Sequence, residues 1–139
     1  ANKVAAVASI IAKDKKIRKI IHYFQLECAH NPPRRYSGSC LDGRDITSVI
    51  LKTADFKFFI TANIKTRALR RFKELKTLEK KTIYQDVLKS IKKRDKSDKN
   101  RKISPLIKTK EMYFISSSYE SISSCFMKIK KIIDRKINN

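Results

Sequence analysis

Three arginine arrangements are the groups in this sequence whose types and spacing could do chemistry. Arg94, Asp98 and Arg101 stand at i, i+4 and i+7. On a helix turning about 100° per residue they fall within roughly 60° of one another, an Arg-Asp-Arg stripe. Arg67, Arg70 and Arg71 make a second stripe at i, i+3 and i+4. Asp42-Gly43-Arg44-Asp45 puts two carboxylates and an arginine at an expected strand end, where ligands bind in open α/β sheets. Arginine grips phosphate or carboxylate with a planar two-pronged fork. Any one stripe alone reads as an exposed helical ion pair worth about 0.3–0.5 kcal/mol. Three together, in an α/β order, indicate a site that binds phosphate and a polar ring.

Other chemistries are weaker. Gly38 and Gly43 have the spacing of a phosphate-binding G-x-x-x-x-G-K-[ST] loop, but Arg44 and Asp45 occupy the Lys and Ser/Thr positions. A carboxylate there would repel the phosphates that the hydroxyl and its magnesium should hold, so no P-loop is expected in these 139 residues. Cys28, Cys40 and Cys125 show no paired metal-ligand spacing, and their odd number argues against a disulfide framework. Buried or half-buried reduced thiols are expected, as in a cytosolic protein. His22 and His30 read as surface residues, and no metal site is expected.

The elements that must position these groups follow from composition and periodicity. The chain has 139 residues and a net charge of +21, with 41% hydrophobic residues. That length suits one domain with a real core, and the apolar content is too high for a disordered polycation. No run approaches the ~18 apolar residues of a membrane span, and no basic-then-apolar leader opens the chain. The first residue is Ala1, so a processed or incomplete product is expected. Of the basic residues 24 are lysines, scattered over nearly every segment beside Ile and Asn as on solvated faces, while the 10 arginines cluster. A basic nucleic-acid-binding module would need aromatics interleaved along a continuous basic face; Arg34-Arg35-Tyr36 offers that once. Specific nucleic-acid binding is therefore not expected.

Residues 4–29 read mostly helical, with Ile17, Ile20, Ile21, Phe24 and Cys28 on one apolar face and Asn31-Pro32-Pro33 as the stop. Cys40-Leu41-Asp42 reads as the end of a short strand, and 56–61 as a buried strand. Helices are expected over about 63–75, with Ala68, Phe72 and Leu75 inward, and about 82–99, with Val87, Leu88 and Ile91 inward. Tyr113-Phe114-Ile115 is a second strand. The last helix is expected to pack through Ile122, Cys125, Phe126, Ile129 and Ile133. Strands alternating with helices imply a parallel α/β sheet in a single domain, 1–139.

Leu41-Asp42-Gly43-Arg44-Asp45-Ile46 resembles a motif of the bacterial cytidylate (CMP/dCMP) kinases. So do Ala54-Asp55-Phe56-Lys57-Phe58-Phe59-Ile60-Thr61-Ala62, Arg67-Ala68-Leu69-Arg70-Arg71-Phe72 and, as an R-D-x-x-D-x-x-R segment, Arg94 to Arg101 with Ser104-Pro105-Leu106 after it. Upstream, Ala8-Ser9 and Ile17-Arg18 through Phe24-Gln25 fit without a gap. The similarity covers nearly the whole chain in the family's order. It implies a nucleoside-monophosphate-kinase fold, a parallel sheet from which the N-terminal strand and P-loop are absent here, and transfer of the ATP γ-phosphoryl group to CMP or dCMP.

The resemblance also implies roles. Ser9, Arg18 and Asp45 would read the cytosine edge. Arg94 and Asp98 would hold the sugar hydroxyls, and Arg44 and Arg101 would grip the monophosphate or the base nearby. Arg67, Arg70 and Arg71, where the family's mobile lid begins, would stabilise charge on the transferred group. ATP and magnesium are the implied co-substrate and cofactor, although the P-loop that binds them lies upstream of the matched region. A separate N-terminal kinase half is the implied partner, and the cytoplasm the implied location.

Several departures from the family pattern matter, among them an enlarged basic loop with Arg34-Arg35-Tyr36 before the motif. Thr47-Ser48 replaces Gly-Thr, Lys52-Thr53 replaces Pro-Asp, and Ser116 replaces the aspartate at the last strand's end. Site arginines kept on a drifting scaffold suit a fragment of a degrading or split gene, with an inert remnant as a further alternative. Ser9 and Arg18 are nine residues apart, about 180° on an unbroken helix. Both reach one base only if the helix breaks near Lys13-Asp14-Lys15-Lys16.

Overall fold

The computed structural model describes residues 7, 11, 14–78 and 81–138. They gather into two compact units, one of Ala1–Ala54 with Arg101–Ile107 and the other of Asp55–Asn100 with Lys108–Asn139.

In the first unit, helix α1 (Lys15–His30) starts because Asp14 is held extended at φ −74°, ψ 124° and its carboxylate accepts from the Lys16 and Ile17 amides at 2.8 and 3.0 Å. An acidic N-cap satisfies two orphan amides and favours the positive end of the helix dipole. Val7 and Ile11 are helical, yet Asp14 is not, so the helix expected over 4–29 is divided at Asp14. This is the break expected near residues 13–16; Ser9 itself lies outside the described residues. The helix ends at His30, where the Asn31 amide donates to Glu27 O and Pro32-Pro33 prevents continuation.

Residues 40–42 are not a strand and take part in no ladder among the described residues, so the expected strand end before Gly43 is absent. The chain goes instead into a single widened turn, Ile46–Ile50, with Ile50 and Leu51 amides reaching back five residues to the carbonyls of Asp45 and Ile46. Such π turns are rare and concentrate at functional sites. α1 packs against this turn. Its apolar face is otherwise uncovered: Ile20, Ile21, Phe24 and Cys28 are exposed, contrary to expectation, and Ile17 is half-buried.

The second unit runs β1 (Phe58–Thr61), α2 (Ile64–Leu78), α3 (Tyr84–Asn100), β2 (Tyr113–Ser116) and α4 (Ile122–Ile137). β1 and β2 pair in parallel with Phe58 opposite Tyr113 and Thr61 opposite Ser116. The architecture is therefore mixed α/β with a short parallel sheet, as the alternation of elements implied. Aromatic cross-strand pairs stabilise it: the Phe58 and Tyr113 rings lie 5.6 Å apart and Phe59 and Phe114 stack at 6.3 Å. α2 and α3 pack on each other, with Phe72 and Tyr84 edge-to-face at 5.9 Å. Ala68, Leu75 and Val87 are buried as expected, joined by Ala62, Met112 and Ile115.

α4 is capped by the Ser121 hydroxyl on the Ser124 amide, but it does not pack as expected. Ile122 is 90% and Phe126 61% exposed, while Cys125, Ile129 and Ile133 are half-buried. A helical apolar stripe shows that a face wants burial; it does not supply the surface that buries it. No helix among the described residues is long and apolar enough to cross a membrane.

Candidate functional site

In the first unit the start of α1, the turn at Asp45 and the segment from Arg101 converge. Arg18 is on the first turn of α1, placed by the Asp14 cap, and one of its Nη atoms donates to Asp45 Oδ2 at 2.8 Å. The same nitrogen donates to Ser104 Oγ at 2.5 Å. A guanidinium nitrogen of Arg101 stands 3.9 Å from the same Asp45 oxygen, and Arg101 Nε donates to the Ser104 carbonyl. Asp45 is buried, its side chain 12% exposed. A carboxylate this enclosed needs paired cations to offset its desolvation, and two arginines supply them.

The Asp45 carbonyl meanwhile accepts from the Val49 and Ile50 amides, so the π turn fixes the residue from its main chain. Gly43 lets the chain enter that turn closely: a Cβ there would lie 2.8 Å from Ile46 Cγ1, and Ile46 is buried. Arg44 is half-buried.

Ser104 was not among the expected site residues. It is 7% exposed and holds φ at 52°, in the left-handed region that non-glycine residues seldom adopt. No sequence signal marks it, since a residue before proline is biased toward extended backbone and not toward a positive φ.

The remaining expected residues belong to the second unit. Arg67 donates through both terminal nitrogens to both Asp95 oxygens, at 2.9 and 2.6 Å, and through Nε to Ala62 O. The Asp95 hydrogen bonds raise the Arg67 pKa, against a smaller opposing effect of burial. Arg70 donates to Ser117 Oγ and to the carbonyls of Ser117 and Glu120, closing the loop after β2 onto α2. Arg71 pairs with Glu74 one turn on. Arg67, Arg70 and Arg71 thus take separate protein partners rather than one focus.

Asp98 is buried and Arg94 exposed on α3. α3 ends at Asn100, so the expected stripe of Arg94, Asp98 and Arg101 is not carried by a single helix. Its last member belongs to the other unit, where it meets Asp45. Cys28 and Cys40 are exposed and Cys125 half-buried, all three free thiols, so the expected burial holds at Cys125 alone.

Residues 38–45 do not fit nucleotide triphosphate and magnesium. Neither glycine takes a positive φ that would cup a phosphate, and Asp45 stands turned to two guanidinium groups where a metal-holding hydroxyl would be needed. Among the described residues no three His, Cys, Asp or Glu side chains gather as a metal would require.

The cytidylate kinase family model matches residues 1–135. The chain is 38% identical over 134 residues to a cytidylate kinase of Bartonella bacilliformis, covering 96% of this chain and 60% of that protein. It is 50% identical over 95 residues to a cytidylate kinase of Clostridium botulinum (strain Loch Maree / Type A3), covering 68% of this chain and 44% of the relative. With the Clostridium tetani cytidylate kinase the identity is 45% over 97 residues, 70% of this chain and 43% of the relative. The chain thus spans about half the length of the curated relatives it matches. A match running from residue 1 to residue 135 takes in almost all of its 139 residues, and the chain belongs to the cytidylate kinase family.

Proposed function

We propose that this chain supplies the monophosphate-binding part of a cytidylate kinase, which transfers the ATP γ-phosphoryl group to CMP or dCMP to give CDP or dCDP and ADP in the cytoplasm. The observation that carries the reading is the Arg18–Asp45 pair, a donor beside an acceptor at 2.8 Å. Cytosine presents the complementary edge, an N4 amine that donates and an N3 that accepts, whereas uracil presents the reverse. Asp45 would accept a hydrogen bond from the amine and Arg18 would donate one to the ring, with Ser9 as a further contact. Arg101, and Arg44 beside Asp45 in the chain, would hold the 5′-phosphate, and Arg94 and Asp98 the sugar hydroxyls.

Phosphoryl transfer depends on positioning and on cations around the moving charge. Arg67, Arg70 and Arg71 are the cations proposed for that work. Arg71 is the readiest to exchange its partner, because an exposed i,i+3 pair contributes only a few tenths of a kcal/mol. The described residues supply no cradle for ATP and its magnesium, and an N-terminal kinase half is the partner proposed to bring one.

Calorimetric titration of the 139-residue chain with CMP and with UMP tests the binding. CMP should bind the more tightly, and Asp45→Asn should remove the preference. Equal affinity for both nucleotides, or none for either, sinks the reading. The chain alone should form no CDP from ATP and CMP above an Arg101→Ala control, and a separately expressed N-terminal kinase half should restore some formation.

A further inference from the structure

We propose that Ser104 is a positioning residue for the nucleotide site: one strained, buried serine holds Arg18 by its hydroxyl and Arg101 by its carbonyl, and so sets both arginines against Asp45. The inference rests on the cytidylate reading only for its consequence in substrate choice.

Three independent features of Ser104 agree. Its φ of 52° is the one positive value among the described residues, on a side chain that bears a Cβ and precedes a proline. Strain of this kind persists where surrounding contacts over-determine it, and it collects at ligand sites. The residue is buried, yet neither of its polar groups is wasted. Its hydroxyl accepts from Arg18 at 2.5 Å and its carbonyl accepts from Arg101 Nε.

The backbone rotation and the two bonds belong together. Turning φ about the N–Cα bond carries Cβ and the carbonyl carbon as one body relative to the preceding chain. Return to an ordinary negative φ would therefore take both acceptors off their arginines at once. Arg18 then keeps Asp45, but the nitrogen that serves both Asp45 and Ser104 loses one of its two acceptors, and the direction of its N–H groups is no longer set from both sides. Reading a base edge needs that direction, since the donor has to point along a defined line. Ser104 would thus act on specificity through Arg18 and on phosphate grip through Arg101, without touching the nucleotide.

Ser104→Gly separates this role from backbone strain, because glycine keeps the left-handed backbone without strain and removes the hydroxymethyl group with its hydroxyl. The thermal midpoint should change little, since the lost hydrogen bond and the relieved strain oppose each other. In the ligand-free chain, 15N NMR of arginine side chains should show the Arg18 guanidinium rotating and exchanging faster than in the wild type, with Arg101 unchanged. CMP affinity should fall about tenfold, the scale of one charged hydrogen bond lost, while UMP affinity stays where it was. Ser104→Ala, which also penalises the positive φ, should loosen Arg101 as well.

An Arg18 signal identical in Ser104→Gly and wild type overturns the proposal, as does an equal loss for CMP and UMP. Should the wild type bind neither nucleotide, the cytidylate reading falls, and the guanidinium signals still decide for or against Ser104 as the tether.

Discussion

Arg67 and Asp95 face each other across the α2–α3 pair with both guanidinium ends on both carboxylate oxygens, while Arg67 Nε also closes on Ala62 O. That makes Arg67 the pin between β1's end and two helices. Lysine keeps the charge but loses the fork and the third bond. Arg67→Lys should destabilise the second unit by about 1–2 kcal/mol, the lower part of the range for charged bonds because the pair is about a third exposed to screening water. Urea unfolding checks it, and the difference should shrink in 1 M salt. A change within about 0.5 kcal/mol would mark the fork as decorative.

Gly43 is required by proximity, not by its backbone angles. Gly43→Ala would drive a methyl to 2.8 Å from Ile46 Cγ1, and Ile46 is buried within the π turn that orients Asp45. Overpacking of this kind costs about 1–3 kcal/mol. Loss of CMP affinity should accompany the lowered thermal midpoint. An alanine variant as stable as wild type would show that Ile46 moves aside freely.

Asp14 decides where α1 begins and hence where Arg18 stands. Asp14→Ala removes both cap bonds and should cost about 1 kcal/mol of stability. Asp14→Ser, which keeps an acceptor, should recover most of it. Circular dichroism during thermal unfolding distinguishes the two variants; equal midpoints would remove the cap from the account.

Acid should erase a specific part of the stability. Glu120 accepts first from Lys128 and then from the Ser124 hydroxyl, and Glu111 accepts from Lys57; these bonds hold both carboxyls below the usual range. A carboxyl depressed on folding stabilises the native state above its unfolded value, near 4.3, and that contribution disappears as pH falls through the depressed folded value. The midpoint difference between wild type and Glu120→Gln should therefore be constant from pH 7 to about pH 5 and close below about pH 4. A difference that grew as pH fell would reverse the assigned sign.

Much of the second unit was legible in the chain because its signals are local. Aromatic runs at Phe58-Phe59 and Tyr113-Phe114 make strands, alternation with helices makes them parallel, and periodicity correctly turned Ala68, Leu75 and Val87 inward. The family motifs grouped Arg18, Asp45 and Arg101, which do stand together, and the helix break expected between Ser9 and Arg18 falls at Asp14. What periodicity cannot contain is the partner of a face. Ile122 and Phe126 carry the same helical spacing as a core stripe and stand in solvent, because burial depends on a second surface brought there by the rest of the fold. Nor does spacing along a helix survive the helix's end: Arg101, grouped in sequence with Arg94 and Asp98, leaves α3 at its terminus and turns to Asp45, fifty-six positions earlier in the chain. The residue types and order alone grouped arginines with aspartates at spacings suited to an anionic, polar ligand. Tertiary structure decided which arginine met which carboxylate, and only tertiary structure revealed Ser104, since a left-handed serine joining two distant guanidinium groups has no pattern in one dimension.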